Sequence, residues 1–217
     1  MDKHIVSNYD NDLELLKNMI IEMGVMLEKQ LFLAVEIIKV SNDEISKSII
    51  ETEKKINLSE KKIREYATNT LSKRQPLADD LRKIIVSIKL SSTLERIGDH
   101  AANIVTRLSL AKTVPRTYVT DSVYRLGQAV LKNLSQALTS FDQSSEKLAL
   151  NVLPEDKKID LMYETCFREH IVLMMEEKEN ISYFTQMIFI AKELERIGDL
   201  SKNISEEVIY NLKGTLI

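Results

Sequence analysis

Several things are scarce in this chain, and each scarcity removes a class of protein. One cysteine, Cys166, excludes an internal disulfide framework. Three prolines and five glycines among 217 residues leave little material for the turns of a many-stranded sandwich or barrel. Tryptophan is absent and aromatics make up only 6%, which leaves a core built of aliphatic side chains on helix-favouring sequence. Net charge is only -3, from 30 Lys+Arg and 33 Asp+Glu, so no bulk positive field draws nucleic acid and no nucleic-acid partner is expected. No apolar run approaches the ~20 residues of a membrane span; Met187 to Ala191, as long as any, leads straight into Lys192 and Glu193. The opening MDKHIVSNYDNDLELLKNM is polar and mixed in charge, unlike a secretory signal. A cytoplasmic protein is expected, touching a membrane only through partners.

What is present is helix-forming. Leu13, Leu16, Ile20, Met23, Leu27, Leu31, Ala34 and Ile38 recur at three- and four-residue steps from Asp12 onward, until Ser41-Asn42-Asp43 breaks the stripe. A second helix from about Asp43 carries Ile49, Ile56, Ile63 and Leu71. Pro76 suits the first turn of a third, with Leu81, Ile84, Ile85, Ile88, Leu94 and Ile97. After Pro115 the order restarts. Thr120 or Asp121 can cap a fourth helix along Val123, Leu126, Val130, Leu134 and Leu138. A fifth runs through Leu148, Val152, Ile159, Tyr163 and Phe167 to about Glu177, with Pro154 implying a kink or a later start. A sixth spans Ser182 to about Leu212. The expectation is an all-α protein of two tandem, pseudo-symmetric three-helix bundles, residues 1–115 and 116–217.

Matched segments support a duplication. LERIGD occurs at Leu94 to Asp99 and again at Leu194 to Asp199, and Glu53-Lys54-Lys55-Ile56-Asn57-Leu58 is similar to Asp156-Lys157-Lys158-Ile159-Asp160-Leu161. Within each copy acids stand four apart, Glu95 with Asp99 and Glu195 with Asp199, one turn above each other on one helix face. Antiparallel folding about Pro76 sets Glu53 level with Asp99 and Asn57 level with Glu95. Folding the second half between Glu177 and Lys178 sets Asp156 level with Asp199 and Asp160 level with Glu195.

Carboxylates gathered at one height share protons, hold a cation, or spread into solvent beside cations. A solvated face would pair them with Lys54, Lys55, Lys157, Lys158, Arg96 and Arg196. A cation site would use Glu53, Glu95 and Asp99 in one half, and Asp156, Asp160, Glu195 and Asp199 in the other. Hard oxygen ligands favour Mg, Mn, Ca or iron. Gly98 and Gly198 inside helices point to close approach of a neighbouring helix. Glu-x-x-His, a phosphate-binding glycine loop and a nucleophile triad are absent. Of His4, His100 and His170 only His100 adjoins an acid row, and its direction suggests a surface role. Cys166 and Met174-Met175 suit core packing, and the basic cluster around Lys73, Arg74 and Arg82 suits helix capping.

MGVMLEKQL (Met23 to Leu31), KRQPLADDLR (Lys73 to Arg82), EDKKID (Glu155 to Asp160) and the two LERIGD copies together resemble the PhoU family of phosphate-specific transport accessory proteins. The resemblance covers nearly the whole chain. It implies paired three-helix bundles without catalytic chemistry, with E(D)xxxD motifs that bind divalent or trivalent metal ions (Mg, Mn, Fe or Zn) on carboxylate clusters. Carried over, the ligands are Glu95 and Asp99 with Glu53, and Glu195 and Asp199 with Asp156 and Asp160. Asn57 departs from the motif, which implies a less acidic first site. The family further implies a negative regulator of phosphate uptake, often dimeric, linking a phosphate ABC transporter ATPase to a sensor histidine kinase. Two other readings remain, a paralogue serving another transporter and a carboxylate-metal hydrolase, besides a helical adaptor with solvated acids.

Overall fold

A computed structural model describes residues 2–40, 42–74, 76–111 and 120–215. Six long helices account for nearly all of them, and no strand occurs among the described residues. They are α1 (Asp2–Lys39), α2 (Asp43–Arg74), α3 (Ala78–Leu110), α4 (Thr120–Asp142), α5 (Glu146–Glu176) and α6 (Ile181–Lys213), with a short 3₁₀ turn, Lys178–Asn180, before α6. Local chemistry sets several of these ends. The Asn42 carboxamide oxygen accepts from the amides of Glu44 (2.9 Å) and Ile45 (3.1 Å), which caps α2. Ser145 does the same for α5 through Leu148, and Gly214 ends α6 at φ 75°, a conformation that suits glycine.

The apolar stripes pack largely where their periodicity placed them. Leu16, Ile20, Met23, Leu27, Leu31, Ala34 and Ile38 on α1 are buried, as are Ile49, Ile56 and Ile63 on α2 and Val123, Leu126, Val130 and Leu134 on α4. Several expectations need correction. α1 begins at Asp2, not Asp12, because the polar start continues the helix before its apolar stripe begins. Pro76 precedes α3; Leu77 is its extended N-cap, and Asp79 and Asp80 supply the acidic first turn that favours a helix N-terminus. α5 starts at Glu146 and runs through Pro154, which forfeits one backbone bond to Leu150 on the solvent side. Leu81, Ile85 and Phe167 are 37%, 39% and 41% exposed, and the buried face of α5 instead runs through Cys166 and His170. The expected boundary at 115/116 lies outside the described residues.

Packing produces two layers. α2, α3, α6 and α5 lie side by side in that order, while α1 and α4 pack against each other behind α3 and α6. α3 and α6 are antiparallel: Lys89 meets Glu207 (2.8 Å), His100 meets Glu193 (2.6 Å), and the Arg107 guanidinium lies 4.6 Å from the Phe189 ring centre. α1 and α4 are antiparallel too, since Lys17 reaches the Asp142 carbonyl and Tyr124 donates to Glu36. Both registers fit one approximate twofold, which passes where residues 97–98 face 197–198. The repeated LERIGD therefore straddles the symmetry axis of the molecule. No helix is long and apolar enough to cross a membrane among the described residues.

Candidate metal centre

Close helix packing creates each acid row. A Cβ on Gly198 would stand 2.9 Å from Ile159 Cγ2, and one on Gly98 would stand 3.3 Å from Gln30 Oε1 and 3.4 Å from Ile56. Glycine at these two places lets α5 and α2 approach α6 and α3, as the sequence suggested. The same approach draws the facing carboxylates together.

In the second half Asp156 and Asp199 meet as their level pairing predicted, while Glu195 does not join Asp160. Asp156, Asp160 and Asp199 each present an oxygen, and the three oxygens lie within 4.8 Å of one another. Asp156 is buried, Asp160 half-buried and Asp199 exposed, so the group opens from the α5/α6 seam to solvent. Lys202 donates to one oxygen of Asp156 at 2.9 Å, while Asp156 Oδ1 is buried without a hydrogen-bond partner. Glu195 stands outside this trio: its carboxylate is held by Lys192 at 2.7 Å, and the same ammonium lies 5.2 Å from the Tyr163 ring centre. Burial first, then repulsion from Asp156 and Glu195, raises the Asp160 carboxyl above its usual range. Burial, then Glu195, Asp156 and Asp160, raises Asp199 likewise. Holding these groups ionised is unfavourable, and a cation removes that cost. An all-oxygen donor set with one orphaned buried oxygen fits a hard cation.

The first half is arranged differently. Glu53 accepts a hydrogen bond from Asn57, and no three ligand atoms from the described residues of this half converge as those of the second do. Glu95 is raised by burial, then by Asp99, Glu60 and Glu53. Glu60 is the acid that the sequence reading missed; it is buried and ion-paired with Arg64 at 3.2 Å. Its spacing from Glu53 and Asn57, about two helix turns and one along the same face, was the available signal. With Glu60 counted, the first half is not the less acidic one, contrary to what Asn57 suggested.

The neutralising cations also differ from those anticipated. Lys192 and Lys202 pair with the acid row, whereas Lys158 pairs with Glu155 at the surface and Lys54, Lys55, Lys157, Arg96 and Arg196 form no ion pair among the described residues. His100 is not a surface residue: it bonds Glu193 across the α3/α6 seam, where Glu193 is only 5% exposed. Burial pushes the Glu193 carboxyl up, but His100 and Asn103 outweigh it and leave the carboxyl below its usual range. Cys166 and His170 are core groups; burial raises the thiol and lowers the imidazole, which bonds the Cys166 carbonyl.

Comparison with known proteins agrees with this architecture. The PhoU domain model matches residues 20–108 and again 123–208, once per half. A PhoU homologue of Xylella fastidiosa, named a phosphate-specific transport system accessory protein, is 36% identical over 97% of this chain and 88% of its own length. The Escherichia coli protein of that name is 34% identical over 99% of this chain and 89% of its own. The crystal structure of PhoU from Pseudomonas aeruginosa superposes with a TM-score of 0.91 at 35% identity, covering 95% of this chain and all of that one. The phosphate transport regulatory protein PhoU of Streptococcus pneumoniae gives 0.88 at 26%, over 96% and 99%.

Proposed function

The chain belongs to the PhoU family, and from that premise we propose that it is a metal-binding accessory protein that restrains phosphate uptake. On this reading it is a cytoplasmic homodimer that couples the ATPase of a phosphate ABC transporter to a sensor histidine kinase. It reaches the membrane only through those partners. The names of the relatives support the transport role. The observation that carries the metal reading is the convergence of Asp156, Asp160 and Asp199, with a buried Asp156 oxygen left unpartnered.

Those three aspartates would hold the cation, with Glu195 joining once Lys192 lets go. The bound ion would tie α5 to α6 at one flank of the four-helix layer, and its charge would replace that of Lys202 on Asp156. The site is suited to binding rather than turnover. The imidazole of His100 is committed to Glu193 and is not available as a general base. Elemental analysis and calorimetry with Mn²⁺ on the natural protein and on an Asp156→Asn, Asp199→Asn double variant test the site. The variant should lose metal; equal content in both would sink the assignment. Pull-down from cells grown at high and at low phosphate tests the partners, and recovery of neither transporter nor kinase in either condition would overturn the adaptor role.

A further inference from the structure

One residue of the repeated motif is used neither by the core nor by the acid rows. Leu94, Ile97 and Gly98, like Leu194, Ile197 and Gly198, are buried, and the acids form the rows described above. Arg96 and Arg196 are exposed, and neither forms an ion pair or hydrogen bond among the described residues. Arg96 acts electrostatically on Glu95, and Arg196 on Glu193.

The register of α3 and α6 shows where these two side chains stand. Positions 89, 96, 100, 103 and 107 make one stripe along α3, and 189, 193, 196, 203 and 207 make one along α6. Lys89, His100 and Arg107 touch Glu207, Glu193 and Phe189, so both stripes border the same α3/α6 groove. α1 and α4 cover the back of that seam, which leaves the exposed arginines on the front, between the two acid rows. They fall on either side of the approximate twofold, about 4.5 Å apart along the helix axes. The axes themselves are roughly 8–10 Å apart, so two extended arginine side chains can meet above the groove.

We propose that Arg96 and Arg196 form a twofold clamp for a tetrahedral oxyanion of the phosphate class. Each guanidinium offers paired N–H donors that match two oxygens of such an ion, and two of them on opposite sides supply the charge a dianion requires. Glu193, the carboxylate beside Arg196, takes its hydrogen bonds from His100 and Asn103 on α3 and forms no ion pair with Arg196. If the arginines served only to balance the acids, each would pair with the aspartate level with it across the groove, Arg96 with Asp199 and Arg196 with Asp99. Neither pair lies within ion-pair distance, and in the second half Lys192 and Lys202 take the counter-ion role instead. The oxyanion clamp stands on this geometry; that its ligand is inorganic phosphate rests on the transport reading above. Free phosphate and a phosphoryl group carried on a partner present the same oxygens.

The test is isothermal titration of the full chain with inorganic phosphate and, separately, with phenyl phosphate, before and after chelation of metal. The proteins are the natural chain, Arg96→Gln/Arg196→Gln, and Arg168→Gln as a control for charge lost at an exposed ion pair elsewhere. The natural chain should bind with a Kd below about 1 mM, the double variant at least tenfold more weakly, and the control equally. Saturation by phosphate alone assigns the clamp to the free ion; saturation by phenyl phosphate as well extends it to a phosphoryl group on a partner. Helicity by circular dichroism and metal content, both unchanged in the double variant, keep the result specific to the clamp. Absence of saturation by either ligand overturns the proposal. So does binding that survives the arginine substitutions but vanishes on chelation, since the anion would then sit on metal. Loss of metal from the Asp156→Asn, Asp199→Asn protein with clamp binding intact leaves this proposal standing, while unaltered metal there sinks the metal reading alone.

Discussion

Loading the second acid row should stabilise the fold by an amount that can be worked out beforehand. In the metal-free protein Asp160 and Asp199 are both raised by burial and by their neighbours' charge, so the folded state carries a repulsion that a cation relieves. A ligand bound only to the native chain contributes RT ln(1 + [L]/Kd), which is about 2.7 kcal/mol at a hundredfold excess over Kd. For a chain of this length 1 kcal/mol moves Tm by roughly 2–4 °C, so Mn²⁺ should raise Tm by about 5–11 °C. Differential scanning fluorimetry across a Mn²⁺ series, with EDTA as the zero point, measures it. Asp199→Asn should abolish most of the shift, yet leave the metal-free Tm equal or higher, because a like charge four residues from Glu195 costs about 0.2–0.5 kcal/mol. Two results would refute the reasoning. One is an equal Mn²⁺ shift in both proteins. The other is a metal-free Asp199→Asn variant several degrees less stable, which would make Asp199 a structural partner rather than a repelled charge.

Four further outcomes follow from the same geometry. Raised carboxyls penalise the folded state fully above their folded pKa, and the penalty disappears as pH falls through that value toward the ordinary carboxylate range; the stability advantage of metal-free Asp199→Asn should therefore shrink over that descent, as urea titrations at several pH values will show. Gly198→Ala drives a Cβ to 2.9 Å from Ile159 and should cost about 1–3 kcal/mol in chemical denaturation; Gly98→Ala, facing the end of Gln30 at 3.3 Å, should cost less, and a reversed order would contradict the packing. His100→Ala leaves the buried Glu193 carboxylate without its main partner and should lose about 1–3 kcal/mol in the same assay, where a surface histidine would change little. Lys202→Gln removes the ammonium that a cation must displace from Asp156, so Mn²⁺ affinity by calorimetry should rise by up to about fivefold, an exposed-pair value of 1 kcal/mol or less; weaker binding would show that Lys202 assists the site.

The fold was legible because its signals are long and repetitive. Stripes such as Leu16 to Ile38 extend over many turns, and no alternation competes with them. The level pairing of Asp156 with Asp199 was legible for a related reason: in an antiparallel hairpin of straight helices, distance from the turn sets height, and the error does not accumulate. Rotation about the helix axis was harder to read. It placed Leu81, Ile85 and Phe167 outside the core and turned His100 into the α3/α6 seam, because which face of α3 or α5 is covered depends on the opposite half of the molecule. Side-chain choice was harder still. Whether Glu195 turns to the aspartates or to Lys192 is decided by a few tenths of a kcal/mol to one kcal/mol at a partly exposed pair, below what spacing resolves.

The two halves share a backbone but not a charge pattern, and the differences concentrate on the acid rows. Where the first half has Glu60, Ser92 and Ala102, the second has Tyr163, Lys192 and Lys202 at matching positions. The first row thus gains an acid and lacks both lysines, while the second carries its own counter-ions on Glu195 and Asp156. Gln30 and its counterpart Asn133 diverge in the same sense. Gln30 donates to the carbonyls of Ile49 and Gly98 and ties α1 to α2 and α3; Asn133, one methylene shorter, has neither amide atom bonded. The first half is therefore cross-tied by its own side chains around an acid row that does not converge. The second half converges its aspartates, neutralises the row with Lys192 and Lys202 and leaves a core amide free. A cation entering the second half meets preformed ligands and lysine counter-ions to displace, whereas one entering the first must break the Asn57 and Arg64 contacts of Glu53 and Glu60. On the metal reading proposed above, that asymmetry predicts that the α5/α6 row fills first as Mn²⁺ is titrated in.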